Sequence, residues 1–151
     1  MSTITVRQAA LSDIEALAPL FDGYRQFYGR PSDISAAREF LLERLNHDES
    51  VLFIAHEDNK PVGFTQLYPS FSSVSLARVF ILNDLFVYEH ARRKGIASNL
   101  MSAATQFANS LGAVRVSLST ATSNETAQAL YQSAGWKRDE QFYVYHFAIP
   151  A

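Results

Sequence analysis

Residues 82–98 read Leu82-Asn83-Asp84-Leu85-Phe86-Val87-Tyr88-Glu89-His90-Ala91-Arg92-Arg93-Lys94-Gly95-Ile96-Ala97-Ser98. An apolar run ends near Val87, a short loop carries three consecutive cations, and a glycine then opens a helical pattern. The run 78–87, rich in Val, Ile, Leu and Phe, is the strongest strand in the sequence. From Gly95 onward, Ile96, Leu100, Met101, Ala104, Phe107 and Ala108 recur at helical spacing, which predicts a helix over 95–111. A helix N-terminus presents unpaired N–H groups and a partial positive charge. Gly95 lets the backbone approach an anion closely, and Ala97 leaves the first turn uncrowded. Arg92, Arg93 and Lys94 add positive charge, so the junction predicts a diphosphate site. Neither GxxxxGK[ST] nor GxGxxG occurs, which excludes the Walker A and dinucleotide loops. Taken alone, a three-cation turn reads equally well as a solvated loop. The strand-loop-helix setting favours the anion site.

Outward from this junction the chain alternates between strand and helix patterns. Ile4-Thr5-Val6-Arg7 alternates as a short strand. Ser12 with Glu15 reads as a capping box, opening a helix that runs to about Tyr28. Gly29, Arg30 and Pro31 break it, and Ser32 or Asp33 caps a second helix with Ala37, Phe40, Leu41 and Leu45 on its apolar face. Residues 51–55 and 61–67 read as a hairpin across the polar turn Glu57-Asp58-Asn59-Lys60. The Ser-rich stretch 68–77 reads as a loop or a loosely paired edge. Beyond the central helix, capped by Gly112, come a strand at 114–118, a short helix at 124–134 closed by Gly135, and an alternating final strand at 142–149. Consecutive strands in the first half imply antiparallel pairing, and the β-α-β unit implies one parallel pair. The fold expected is α/β (α+β): a mixed, mostly antiparallel central sheet flanked by about four helices, in one domain spanning 1–151.

Composition narrows the function. At 151 residues, with 48% hydrophobic and 19% charged residues, the chain can fill one core and is not disordered. A formal net charge of -2 gives no basic surface for nucleic acid. The sequence has no cysteine, which excludes disulfides, thiolate metal sites and a cysteine nucleophile. Its four histidines lack close metal-ligand spacing, so no metal is expected. No apolar run is long enough to cross a bilayer, and the N-terminus lacks an apolar signal core, so a cytoplasmic protein is expected.

The motif Arg92-x-x-Gly95-x-Ala97 after Leu85-Phe86-Val87 resembles the acetyl-CoA motif of the GCN5-related N-acetyltransferases, Q/R-x-x-G-x-G/A. Asn124-x-x-Ala127-x-x-Leu130-Tyr131-x-x-x-Gly135-Trp136 resembles the family's later motif, N-x-x-A-x-x-L-Y-x-x-x-G-F, with Trp136 in place of Phe. The element order matches over nearly the whole chain. The phrase from Phe64 to Val87 is also similar to a bacterial subgroup likened to fungal histone and polyamine acetyltransferases.

The resemblance implies acetyl-CoA as the cofactor, CoA as a product, and an amine as the acceptor. It implies that the backbone of Leu85, Phe86 and Val87 pairs with the pantetheine arm, one N–H there polarising the thioester carbonyl. Backbone N–H groups of Arg93, Lys94, Gly95, Ile96, Ala97 and Ser98 would hold the pyrophosphate, with Arg92 opening the motif. Asn124 would hydrogen-bond the pantetheine, and Tyr131 would protonate the leaving sulfur. Read from residues alone, Asn124 is equally an N-cap and Tyr131 a packing ring. Acceptor contacts would come from Tyr24, Phe27, Tyr28, Tyr68 and Asn83, with Arg25, Arg30 and Phe71 nearby. Arg25 and Arg30 read as carboxylate partners or as plain surface residues, and Asp22 and Asp33 are the main carboxylates there.

Without cysteine, an acyl-enzyme on sulfur is excluded, and direct attack by the amine in a ternary complex is expected. The base stays open. Asn83 stands where polyamine acetyltransferases often carry Glu, and an amide is no base. Asp84 points to the opposite face of the strand unless a bulge intervenes. Glu89 lies in the loop, and a water relayed through the backbone and Tyr68 is a third route. A small amine, polyamine or amino acid is the favoured acceptor. A protein lysine or N-terminus, and a non-catalytic acyl-CoA-binding module, are the alternatives. The apolar positions Tyr143, Tyr145 and Phe147 raise the expectation of a homodimer.

Overall fold

The computed structural model describes residues 2–151. The chain divides into a compact unit ending at Ser119 and a second unit, Thr120–Ala151. The first contains β1 (Ile4–Gln8), α1 (Ile14–Phe27), α2 (Ile34–Asn46), β2 (Val51–Glu57), β3 (Lys60–Ser72), β4 (Ala77–Val87), α3 (Ile96–Ser110) and β5 (Arg115–Ser117). Its sheet has the order β1-β2-β3-β4-β5. The first four strands pair antiparallel, and β5 runs parallel to β4. This is the expected mixed sheet with a single parallel pair.

Strand periodicity divides the side chains between two faces. Leu52, Ile54 and Phe64 belong to one cluster with Leu17, Leu20 and Phe21 of α1 and Leu41 of α2. The alternate positions turn to α3, where Phe107 meets Phe53 and Phe80 edge-on at 5.7 and 5.8 Å. Leu100 of α3 is 0% exposed. Burying each such large apolar side chain contributes about 1.5–3 kcal/mol. The helices therefore hold both faces of the sheet, and the strand ends remain for chemistry.

Three expectations need correction. Of the two readings of 68–77, the loop fails and the paired edge holds: β3 continues past its last β2 partner at Leu67 and pairs with β4 as far as Ser72 opposite Ala77, leaving only 73–76 as a turn. The rings of Tyr68 and Phe71 among the serines supply the strand preference that the serines hide. The guanidinium of Arg78 lies over the Phe71 ring at 5.4 Å, reinforcing that pairing. Second, no Ser12–Glu15 box opens α1. A 3-10 turn, Leu11–Asp13, precedes it, and the Asp13 carboxylate accepts from the Ala10 N–H at 2.8 Å. Arg7 forks onto both oxygens of Asp13 at 2.7 and 2.8 Å and holds its carboxyl down at about 2. A bidentate charged fork outcompetes a neutral serine cap.

The third correction lies in the second unit. It contains α4 (Glu125–Ser133), close to the expected helix, but 142–149 forms no strand. Alternation makes a strand only where a neighbour receives its N–H and C=O groups. This unit offers none: α4 is its one helix or strand element among the described residues. No helix among the described residues is long and apolar enough to cross a membrane.

Candidate active site

Strand β4 is shared along one part of its length and open along another. Val79, Phe80 and Ile81 pair with β5, while β3 follows β4 as far as Gly63 opposite Val87. Past Ile81, Leu85, Phe86 and Val87 have β3 on one side and no strand on the other among the described residues. Such an edge can take an extended ligand as an added strand. Gly63 holds this stretch in place: a Cβ there would stand 2.9 Å from the Phe86 carbonyl oxygen and 3.2 Å from Val87 Cγ2. No side chain longer than hydrogen lets β3 and β4 stay this close. The Val87 carbonyl accepts from Arg92 Nε at 2.9 Å.

Beyond Val87 a short 3-10 turn, Glu89–Ala91, leads into the cationic loop. The three cations have different surroundings. The Arg92 guanidinium lies 5.9 Å from the Phe27 ring and 5.8 Å from the Phe86 ring, so it braces the end of β4. Lys94 Nζ pairs with Glu57 Oε2 at 2.7 Å, tying the loop to β2 and holding the Glu57 carboxyl below its ordinary value. Arg93 adopts φ 65° and Gly95 φ 78°. Left-handed turns of this kind aim successive N–H groups into a concave surface that suits anions. Gly95 is the N-cap of α3, and no side chain caps the helix there. Ile96 is buried and anchors the first turn, Ala97 is half-buried and Ser98 exposed. The Asn99 N–H is already bonded to the Gly95 carbonyl at 3.0 Å, so the N–H groups that precede it are the ones positioned for a ligand.

Upstream on β4, the bulge that alternation required is present. Leu82 stands opposite Leu67 and Asp84 opposite Gln66, leaving Asn83 as the extra residue. Asp84 is thereby turned from the α3 side to the α1–α2 side. It is buried, while Asn83 is exposed. Asp84 accepts from Gln66 Nε2 on one oxygen and from Asn83 Nδ2 at 2.8 Å on the other. The Tyr24 hydroxyl donates to the Asn83 carbonyl at 3.0 Å and is one of the groups acting on the Asp84 carboxylate. Burial pushes the Asp84 carboxyl up, against the pull of these donors. Burial also raises the Tyr24 phenol, and lifts Tyr68 to about 12 with help from the Asp84 charge.

The other acceptor candidates gather at the end of α1. Tyr24 and Tyr28 meet at 5.0 Å between ring centroids, and Phe27 and Tyr28 at 5.3 Å. Phe27 and Tyr28 are exposed, while Tyr68 is half-buried. Asp22 is not an open carboxylate. It is 2% exposed and accepts from Gln26, Ser32 Oγ and the Asp33 N–H, which fixes the α1–α2 connection. Asp33 caps α2 through the Ala36 N–H at 3.1 Å. Gln66, Ser50 and Gly63 were not singled out from sequence. A glutamine and a glycine inside apolar strands were the available signals.

In the second unit, Asn124 is the N-cap of α4 and accepts from the Ala127 N–H at 3.1 Å. The half-buried Tyr131 ring lies 6.4 Å from that of Trp136, and the Trp136 backbone N–H donates to the Tyr131 carbonyl at 3.0 Å. The later motif thus forms one helix and its closing turn.

A strand with one shared and one open stretch, running into an uncapped helix N-terminus, is the arrangement that the acetyltransferase resemblance implies. The chain belongs to the Acetyltransferase (GNAT) family, whose model matches residues 17–136, and is an acetyltransferase of that type. It is 48% identical over 148 residues to an uncharacterized N-acetyltransferase of Bacillus subtilis, YhfO, covering 98% of this chain and 99% of that one. A crystal structure of a probable acetyltransferase superposes with a TM-score of 0.93 at 46% identity, covering 97% of this chain and 99% of the other. An aminoglycoside N-acetyltransferase solved in complex with CoA shares the fold, with a TM-score of 0.76 at 24% identity over 99% of this chain and 97% of the other.

Proposed function

We propose that this chain, acting as one domain over 1–151, transfers an acetyl group from acetyl-CoA to the nitrogen of a primary amine. The observation carrying this reading is the open edge of β4 at Leu85, Phe86 and Val87, followed by the uncapped N-terminus of α3. An extended amide chain and a diphosphate are the two chemistries that suit these neighbours. The CoA complex of the aminoglycoside acetyltransferase, which shares the fold, supports the same ligand. Acetyl-CoA supplies a thioester whose carbonyl carbon is open to attack.

The remaining work falls to the chain. An N–H of the β4 edge donates to the carbonyl oxygen as negative charge develops there. The N–H groups of residues 93–98 hold the diphosphate, and Arg92 keeps the strand end rigid. A thiol has a pKa of about 8.5 and a phenol about 10, so proton transfer from Tyr131 to the departing sulfur is uphill by only about 2 kcal/mol. A lysine-like amine must first lose a proton, which at neutral pH costs about 4 kcal/mol. The aromatic group Tyr24, Phe27, Tyr28 and Tyr68 receives the acceptor. With Asp22 and Asp33 committed to the fold, the site favours a small amine over a long polycation.

Thiol release from acetyl-CoA across amines, amino acids and lysine peptides tests this reading. The chain has no cysteine, so a thiol-reactive dye reports only CoA. Amine-dependent release within one chemical class is expected. Failure to bind acetyl-CoA would overturn the assignment of the junction. Tyr131→Phe should lower turnover about a hundredfold while acetyl-CoA affinity is kept.

A further inference from the structure

Polar side chains form a continuous line through the sheet. Ser50 is 9% exposed, Gln66 0% and Asp84 2%. Ser50 Oγ donates to Gln66 Oε1 at 2.6 Å, and Gln66 Nε2 donates to Asp84 Oδ2. Asn83 Nδ2 closes the line on Asp84 Oδ1. Thr65 Oγ1 donates to the Asp84 carbonyl at 2.7 Å, so the bulge is held through its backbone as well. A bulge interrupts the ladder and needs such partners to keep one conformation.

The surroundings of Asp84 do not suit a proton acceptor for an incoming amine. Both its oxygens already receive donors, and almost none of its surface meets solvent. No salt bridge reaches it among the described residues. The titratable groups facing it are the phenols of Tyr24 from α1 and Tyr68 from β3, with Arg44 of α2 acting on Tyr68. What Asp84 does hold is the Asn83 carboxamide, and next to it the Tyr24 hydroxyl, on the face where the acceptor candidates gather.

We propose that Asp84 is a positioning residue: anchored by Gln66 and Ser50, it fixes the β4 bulge and orients Asn83 and Tyr24 toward the acceptor, and it does not take the amine's proton. The inference rests on the acetyl-transfer reading for its kinetic consequences and on the fold alone for its structural one.

Chemistry separates the two roles. In Asp84→Asn, the new amide can still accept from Asn83. Its NH2 faces Gln66, which can flip its own amide to accept there and donate to Ser50 Oγ, since a hydroxyl works either way. The line survives without the carboxylate. The experiment measures kcat and KM from pH 6 to 9 for Asp84→Asn, Asp84→Ala and Ser50→Ala with the best amine of the panel. It also measures amide hydrogen exchange at residues 82–85.

Asp84→Ala should lower kcat about tenfold with the KM for acetyl-CoA within about twofold. Asp84→Asn should recover kcat to within about threefold and keep the acidic limb of the pH profile. Exchange at 82–85 should quicken in Asp84→Ala and Ser50→Ala and return to the parent rate in Asp84→Asn. An Asp84→Asn enzyme as slow as Asp84→Ala, with its acidic limb gone, would make Asp84 the base and overturn the proposal. Unchanged exchange in Asp84→Ala would overturn it as well. If Asp84→Ala fails to fold, Ser50→Ala against Asp84→Asn carries the same contrast. If no amine is turned over by the parent, the functional reading fails while exchange still judges the positioning role.

Discussion

The two faces of the sheet are built on different principles. Toward α3, the rings of Phe53, Phe80 and Phe107 close edge to face, and the one buried polar side chain there among the described residues, Thr65, spends its hydroxyl on the Asp84 carbonyl. Toward α1 and α2, the apolar cluster around Leu17, Leu41 and Phe64 shares its space with Asp22, Gln66 and Asp84, each 2% exposed or less. Burying a polar group is unfavourable unless its hydrogen bonds are met. Here they are met, since no buried side-chain nitrogen or oxygen among the described residues lacks a partner. A face made only for stability would not need these groups. The α3 face mainly stabilises the unit, and the opposite face, helped by Thr65, holds one particular backbone shape.

Substitutions can break this contrast. The largest effect is expected at Gly63, which lies where both faces depend on strand spacing. Gly63→Val puts carbon against the Phe86 carbonyl and forces β3 from β4. Acetyl-CoA affinity should fall more than a hundredfold by calorimetry, with a stability loss of about 3 kcal/mol. Leu100→Ala removes packing from the α3 face alone. It should lower stability by about 3 kcal/mol in urea, while kcat and both KM values of the folded fraction stay within about twofold. Changed kinetics would show that the α3 face also shapes the site.

Gly23→Ala tests the other face. Its new Cβ would meet Phe86 Cε2 at 3.0 Å, and that ring must shift. A loss of about 1–2 kcal/mol is expected, with a raised KM for acetyl-CoA because Phe86 lies on the open edge. The smallest effect is expected far from the site. Asp13→Asn weakens the fork from Arg7 and the cap on Ala10, for about 1 kcal/mol. The Asp13 carboxyl is depressed in the folded state, so its contribution is present above the ordinary carboxylate pKa. It disappears as pH falls toward about 2, and an acid titration of parent against variant should show the two curves converging there.

Asp84 gives the opposite sign. Burial raises its carboxyl, so its contribution to stability is fullest below the ordinary carboxylate value and declines as pH rises through the folded one. Asp84→Asn should therefore melt no lower than the parent at pH 8.

How much of this could be read from sequence follows from range. Strand β4, helix α3 and the glycine between them are local patterns, and the structure places them within a residue or two of the reading. The parallel β4–β5 pair followed from chain order alone. The bulge at Asn83 is not legible locally, because the residues it is registered against, Gln66 and Leu67, lie seventeen and sixteen residues upstream on β3. Lys94 reads from sequence only as charge for the anion site, because its partner, Glu57, comes from the distant strand β2. The 142–149 alternation carried strand preference without saying what would pair with it. Propensity is written locally, whereas partners are supplied by the fold.

The bulge also bears on how β4 tolerates changes of length. A strand counts in twos, so gaining or losing one residue swaps which side chains look up and which look down. Asn83 is already such an odd residue. Deleting it leaves Leu82 opposite Leu67 and Asp84 opposite Gln66, with every later neighbour unchanged. Deleting Phe86 instead would move Leu85 and everything before it out of step with β3. A chain lacking residue 83 should therefore keep the β3–β4 pairing and its melting temperature better than one lacking any other residue between 79 and 87, while giving up the Tyr24 bond to the Asn83 carbonyl.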